Sequence, residues 1–368
     1  MKTRLALVIP TMDRGGAEKQ LALLAENLPR DEFDVHVILL TRDGPRSESL
    51  RSQGIPVTVI GKRFKADPSA LFRLKRFFKQ LSPDIVHTWL FAANSFGRAA
   101  AWMAGVPVVI ASERCVDPWK GWWHFSIDRF LSRRSAAITT NSAGVKAFYV
   151  DHGIDKDLFR VIPNGIPERT TQPISREVAF DRLGVPTERR LVLAVGRLWP
   201  QKRYRDLIWA GELIASTRDD TTLIVIGDGP KRSELLRFRD AVTTPNHVAF
   251  VGARDDVDQL LPHADLFWIG SEYEGQSNSV IEAMQAGVPV VASDITGNRD
   301  LVIHDQTGRL VKLGDRAAFA RESLDLLENP GDAQRLAEAA RDRISKQFSV
   351  DQMVHKHVQA YRELSKGN

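Results

Sequence analysis

Cysteine is nearly absent from this chain. Cys115 is the only one in 368 residues, so no internal disulfide can form and nothing suggests a secreted, stapled scaffold. A reducing compartment fits, the cytoplasm by default. Long apolar runs are missing too: no stretch approaches the ~18–20 residues of a bilayer span, so no membrane-crossing segment is expected. The opening MKTRLALVIPTMDRGGAE has a short apolar run before Pro10, below the ~7–15 residues of a signal-peptide core, and no small-residue cleavage site. It reads as a first strand. Internal sequence repeats are also lacking, and no nucleic-acid-binding motif is present.

What is there is an ordinary globular composition, 43% apolar and 26% charged, in a length that suits two domains with real cores. The net charge of +5 is unevenly spread. Residues 1–168 carry 24 Lys+Arg against 17 Asp+Glu, whereas the remainder carries 27 against 29. A basic first half suits an anionic surface or substrate, and chance variation on a soluble surface stays equally open.

Short apolar runs recur at Leu5–Ile9, Val35–Leu40, Val57–Ile60, Ile85–His87, Val106–Ala111, Ala136–Thr140 and Phe159–Ile162, with helical patterns such as Glu18–Leu28 and Leu71–Leu81 between them. This alternation signals a parallel sheet covered on both faces. After Pro163-Asn164-Gly165-Ile166-Pro167, a polar stretch over Glu168–Glu177 without periodicity reads as a linker. A second series follows at Leu191–Val195, Thr222–Ile226, His247–Val251, Leu266–Ile269, Pro289–Ala292 and Gly308–Val311. The expected domains are therefore 1–168 and 169–349, with the terminal helix 350–368 a candidate to cross back onto the first, although periodicity does not show where it docks. Both are doubly wound α/β units, which bind ligands at the C-terminal edges of their strands, here in a cleft between them.

The motifs lie where that rule puts them. Gly15-Gly16-Ala17-Glu18 follows the first strand and opens a helix, offering backbone N–H groups to a phosphate; on these four residues alone a plain turn with Glu18 complementing the helix dipole is the stronger alternative. Gly196-Arg197-Leu198-Trp199-Pro200-Gln201-Lys202 puts two fixed cations after a strand, a forked one and a point charge that suit a diphosphate, or else solvated surface charges. Glu274-Gly275-Gln276-Ser277-Asn278-Ser279-Val280-Ile281-Glu282 brings two carboxylates around a helix start near Asn278, and carboxylates accept hydrogen bonds from vicinal hydroxyls. Gly227-Asp228-Gly229-Pro230 lacks the third glycine of a dinucleotide fingerprint, which argues against a nicotinamide cofactor.

Taken together, these segments with Gly287-Val288-Pro289-Val290-Val291-Ala292 resemble the GT-B family of retaining nucleotide-sugar glycosyltransferases, nearly end to end, and within it the bacterial enzymes of surface polysaccharide or lipopolysaccharide synthesis. The resemblance implies two Rossmann-like domains and a donor held as follows. Arg197 and Lys202 take the diphosphate, Glu282 the ribose and Glu274 the transferred sugar. Gly196, Asn278 and Ser279 add loop and helix contacts, and Gly15 and Gly16 touch the diphosphate from the other domain. It implies a hexose-type sugar and a hydroxyl acceptor, a lipid-linked glycan among the candidates. No cofactor or catalytic metal is implied, in keeping with the lack of an Asp-x-Asp at the end of an apolar strand.

One departure concerns the acceptor side. Where the family carries a histidine after its matching strand, this chain reads Ser112-Glu113-Arg114, so Glu113, Arg114 and also His87 are the acceptor-side candidates. A structural role for His87 is the stronger alternative. The basic segment Leu71–Lys79 and the aromatic Pro118–Phe125 suit an anionic membrane, placing the protein at its inner face, while a sheet-covering helix and a packed loop remain open. Two further functions stay in play: a nucleotide-sugar epimerase of the same fold, and a sugar or nucleotide binder without catalysis.

Overall fold

In a computed structural model, residues 2–170 and 172–366 are described. Met1 of the expected first domain, Thr171 of the expected linker, and Gly367 and Asn368 of the expected terminal helix lie outside the described residues. The chain forms two units, Met1–Gly165 with Ser349–Asn368, and Ile166–Phe348.

The strands of the first unit are β1 (Thr3–Ile9), β2 (Phe33–Leu39), β3 (Val57–Val59), β4 (Ile85–Trp89), β5 (Val108–Glu113), β6 (Ala137–Thr140) and β7 (Phe159–Val161). They pair in parallel in the order β3-β2-β1-β4-β5-β6-β7. Those of the second are β8 (Arg190–Val195), β9 (Thr221–Ile226), β10 (Val248–Gly252), β11 (Leu266–Ile269), β12 (Val290–Ser293) and β13 (Arg309–Val311), ordered β10-β9-β8-β11-β12-β13. Each expected apolar run became a strand, with ends shifted by a few residues at most. The two expected Rossmann-like units are thus in place.

The runs are continuous because both faces of each sheet are covered. In β1, Leu5, Leu7 and Ile9 pack against Leu21 and Leu24 of the Gly16–Asn27 helix. Ala6 and Val8 point the other way, toward Leu74 and Phe78 of the Pro68–Leu81 helix. All are fully buried or nearly so, which at about 1.5–3 kcal/mol for each large side chain is the main force holding the layers together. In β8 the same alternation separates Leu191 and Leu193 from Val192 and Ala194.

The terminal helix Val350–Lys366 crosses back onto the first unit. Its Met353, Val354 and Tyr361 enter the core that contains Leu21 and Leu24. Gly165 makes this approach feasible, since a Cβ there would lie 2.9 Å from Val350 Cα. Gln20 holds that glycine with two 2.8 Å hydrogen bonds, donating to its carbonyl and accepting from its N–H.

Candidate functional site

In each sheet the strand order reverses between two neighbours, β1 with β4 and β8 with β11, and loops leaving such a pair diverge to open a crevice. In the second unit those loops are the Gly196–Arg203 segment after β8 and the Gly270–Ser277 segment after β11. They carry Gly196, Arg197, Lys202 and Glu274, four of the residues to which the resemblance gives a donor role.

Lys202 and Glu274 meet across the two loops, with Nζ 2.5 Å from Oε1 and both side chains mostly buried. Lys202 lies against Gly196, where a Cβ would be 3.3 Å from its Cε. Tyr204 donates from its hydroxyl to the Gly196 carbonyl at 3.0 Å, and burial first, then the charge of Glu274, pushes its ionisation well above the usual phenol range. Gln201 zips the loops together: its Nε2 donates to the Tyr273 carbonyl at 2.6 Å, and its carbonyl accepts from the Glu272 N–H at 2.8 Å. Arg203 follows with φ of 50°, a left-handed conformation unusual for a side chain of this kind. That turn ends the short 3₁₀ segment Pro200–Lys202 and starts the helix Tyr204–Ala215.

Arg197 differs from Lys202 in being exposed, its guanidinium 5.6 Å from the centre of the Trp199 ring. The helix Asn278–Gln285 starts where the sequence put it; its N-cap is Ser277, whose hydroxyl makes no capping bond and lies 3.0 Å from the Ser279 hydroxyl. Asn278 and Ser279 are half-buried in the first turn, and Glu282 is half-buried one turn on.

Two glycines make these loops pack. Gly227, at φ of 147°, lies so close to the Gly196 carbonyl that no Cβ fits. Gly229 is also tight against the Leu198 backbone, where a Cβ would lie 2.7 Å from the carbonyl oxygen. The Gly227–Pro230 turn therefore has a packing role, holding the loop after β8. Gly297 does the same behind the acidic loop, where a Cβ would meet the carbonyl of Glu274 at 2.7 Å and that of Gly275 closer still.

In the first unit, Gly15 is the N-cap of the Gly16–Asn27 helix, with no side-chain cap bond. The Glu18 carboxylate folds back over Gly15, occupying the space of a Cβ. The helix thus meets its own anion at this end, as the dipole reading expects.

The acceptor-side expectations need correction. His87 is fully buried and faces no crevice: Nδ1 lies 2.8 Å from the Tyr361 hydroxyl and Nε2 3.1 Å from the Thr139 hydroxyl. Burial foremost, with His357 and Arg114 nearby, drives its pKa well below the usual imidazole value, so it is a neutral tie between β4, β6 and the terminal helix. Glu113 is buried at the end of β5, accepting from Asn94 Nδ2 at 2.9 Å with Lys120 Nζ 3.5 Å away, and burial raises its pKa. Arg114 is buried as well, bonded to the Asn164 side chain and stacked 4.6 Å above the Trp89 ring, its pKa lowered to about 9 by burial. Both are held by internal partners rather than displayed. Among the described residues, no group of three or more His, Cys, Asp or Glu is arranged to hold a metal ion.

Comparison with known proteins fits this geometry. The model "Glycosyl transferases group 1" matches residues 175–343, and "Glycosyltransferase Family 4" matches residues 14–169. Glycogen synthase of Mycobacterium tuberculosis is 30% identical over 321 residues, covering 80% of this chain and 73% of that protein. The chain belongs to the group 1 glycosyltransferases of the GT-B fold.

Another relative of this glycosyltransferase is the Escherichia coli UDP-Gal:alpha-D-GlcNAc-diphosphoundecaprenol alpha-1,3-galactosyltransferase, 26% identical over 92% of this chain and 91% of that protein. In fold it matches Anabaena HepE, solved in complex with UDP-glucose, with a TM-score of 0.89 at 24% identity over 98% of this chain and 99% of that one. Several positioning residues of this glycosyltransferase do not stand out in the sequence pattern: Gln20, Gln201, Gly297 and Leu90, a non-glycine at φ of 70° directly after β4. A left-handed leucine at the strand-order reversal is backbone strain where ligands bind in such folds. Only Gly297 had a local signal, its place a few residues after the apolar run Pro289–Ala292, where it falls in the short helix Thr296–Arg299.

Proposed function

We propose that this glycosyltransferase moves a hexose-type sugar from a UDP-sugar to a hydroxyl of a lipid-linked glycan in surface polysaccharide or lipopolysaccharide synthesis, with retention at the anomeric carbon and no metal. The observation that carries this reading is the Lys202–Glu274 pair on the loops beside Gly196. Each charge neutralises the other while the donor is absent. On binding, the diphosphate takes Lys202 and the sugar hydroxyls take Glu274, so neither charge is left buried and alone in either state.

Arg197 is exposed and free to fork onto the second phosphoryl group. Glu282 takes the ribose, and Asn278 and Ser279 supply polar contacts at the helix start. In the transfer the bond from sugar C1 to the phosphate oxygen breaks and its electron pair leaves with the diphosphate. The acceptor oxygen bonds to C1 on the same face and gives its proton to the departing phosphate oxygen. Support for the donor comes from the UDP-glucose complex of the Anabaena protein, and support for the acceptor from the diphosphoundecaprenol substrate in the name of the Escherichia coli relative. The protein works at the inner face of the membrane, where such acceptors lie.

The test is product analysis with UDP-galactose and UDP-glucose, a lipid-linked saccharide acceptor, and EDTA present throughout. Proton NMR should show an α-linked product, and Lys202→Ala and Glu274→Gln should each lower kcat/KM about 10²–10³-fold, as loss of a transition-state contact does. A β-linked product, or activity that EDTA abolishes, overturns the corresponding step. Release of a free epimer without acceptor would favour an epimerase.

A further inference from the structure

The first unit displays a set of aromatic side chains that stay about half exposed or more. Trp122 is 80% exposed, Phe64 59%, Phe72 58%, Trp119 54% and Trp123 48%. An unpaired surface tryptophan is ordinary; five large rings on neighbouring segments are not.

These segments adjoin one another. Phe91, at the start of the Leu90–Ala104 helix, meets Trp119 edge to face at 5.6 Å and Trp123 at 6.4 Å. Lys62 lies 5.1 Å over Phe96 of that helix, and Lys65 is near enough to His124 to act on its charge. Arg73, on the Pro68–Leu81 helix, donates to the carbonyls of Ile60 and Gly61 and so ties the Phe64 loop to that helix. Phe64 follows β3 and the tryptophans follow β5, so both sit at the C-terminal edge of the first sheet, on the side where β1 and β4 diverge.

The tryptophan segment is fixed in place. Lys120 is buried between its exposed neighbours, with Nζ 3.0 Å from Asp128 and 2.8 Å from the Tyr149 hydroxyl, and Asp117 accepts from the Trp119 indole at 3.0 Å. A buried ion network here holds the rings outward and rigid.

The charge around them has one sign. Residues 61–81 contain Lys62, Arg63, Lys65, Arg73, Lys75, Arg76 and Lys79 against a single carboxylate, Asp67, and residues 118–127 contain no acid. Asp67 is fully buried as the N-cap of the Pro68–Leu81 helix, accepting from the Ala70 and Arg63 N–H groups. What faces solvent is cationic. Rings flanked by cations and few free acceptors make a poor carbohydrate platform, which needs hydrogen-bonding groups beside the ring. They match the boundary of an anionic bilayer, where indoles sit at headgroup depth and Lys/Arg meet the phosphates.

We infer that this face, built from Phe64, Phe72, Trp119, Trp122 and Trp123 with Lys65, Lys75 and Arg76, docks the enzyme on an anionic lipid bilayer. It rests on the lipid-linked acceptor proposed above, and it gives that acceptor a route: the bilayer contact adjoins the sheet edge at which the first unit would receive it.

The experiment is flotation of the purified full chain with phosphatidylcholine vesicles, with and without phosphatidylglycerol, at low and high salt. Partition should require the anionic lipid, weaken with salt, and fall at least tenfold in Trp119→Ser/Trp122→Ser and in Lys65→Glu/Lys75→Glu/Arg76→Glu, since each surface cation contributes roughly fivefold. Unchanged UDP binding by each variant shows that it is folded. Equal partition to neutral vesicles, no partition, or variants that bind vesicles like the parent overturn the docking. So does a tryptophan-dependent dimer in sedimentation, or a change only in acceptor KM. Wild-type protein that floats but binds no UDP-sugar would sink the donor proposal and leave this surface standing.

Discussion

At the residue scale, the lesson lies in which charged and polar groups end up paired inside. His87 and His357 are both fully buried, and burial lowers their pKa values, that of His357 to about 3. The sign follows from linkage. Below about pH 6.5 the unfolded chain takes up protons on these imidazoles that the folded chain refuses, so stability is full above that value and declines as pH falls toward the folded pKa. Each group contributes a slope of up to about 1.4 kcal/mol per pH unit in that window. The melting temperature should drop between pH 7 and pH 5.5, and His357→Gln should remove part of that drop. A variant that melts with the wild-type pH dependence would show that His357 stays accessible to protons.

At the scale of elements, the donor loops owe their shape to glycines behind them. Gly227→Ala places a Cβ against the Gly196 carbonyl, with backbone on both sides and nothing flexible to yield. Gly252→Ala also sits at positive φ, 77°, but with nothing within 4 Å of its Cβ. Urea unfolding should show a cost of about 1 kcal/mol for Gly252→Ala, the left-handed penalty alone, and more than twice that for Gly227→Ala. Turnover should survive the first substitution and fall at least tenfold with the second, because only the second displaces the loop that carries Arg197 and Lys202. Equal effects would mean that conformation, not the close approach, is what these glycines supply.

At the scale of the whole molecule, each unit has cores of its own, and the terminal helix belongs to the first. Tyr361 is buried against Phe33, 5.8 Å between ring centres, and bonds to His87. Tyr361→Ala removes a buried ring and strands the imidazole, at a cost of roughly 3–5 kcal/mol. Calorimetry should show a transition lowered for the first unit and one unmoved for the second, with UDP binding retained below the second. A single transition lowered as a whole would show that the two units unfold together.

Much of this protein is legible in its amino-acid order. The strands of both sheets and the helix starting at Asn278 follow from apolar periodicity and turn residues, because spacing along a few residues decides which side of a strand or helix is apolar; where the last helix docks does not. Lys202 and Glu274 are legible as charges placed after strands. That they pair is not, since 72 residues separate them. His87 shows the same boundary: a histidine at a strand end reads alike whether it faces a crevice or a core, and Tyr361, 274 residues away, decides the matter. Local pattern determined which elements form and where ligands could approach; only the folded chain determined which polar groups are buried and satisfied, because burial depends on partners brought together from distant parts of the sequence.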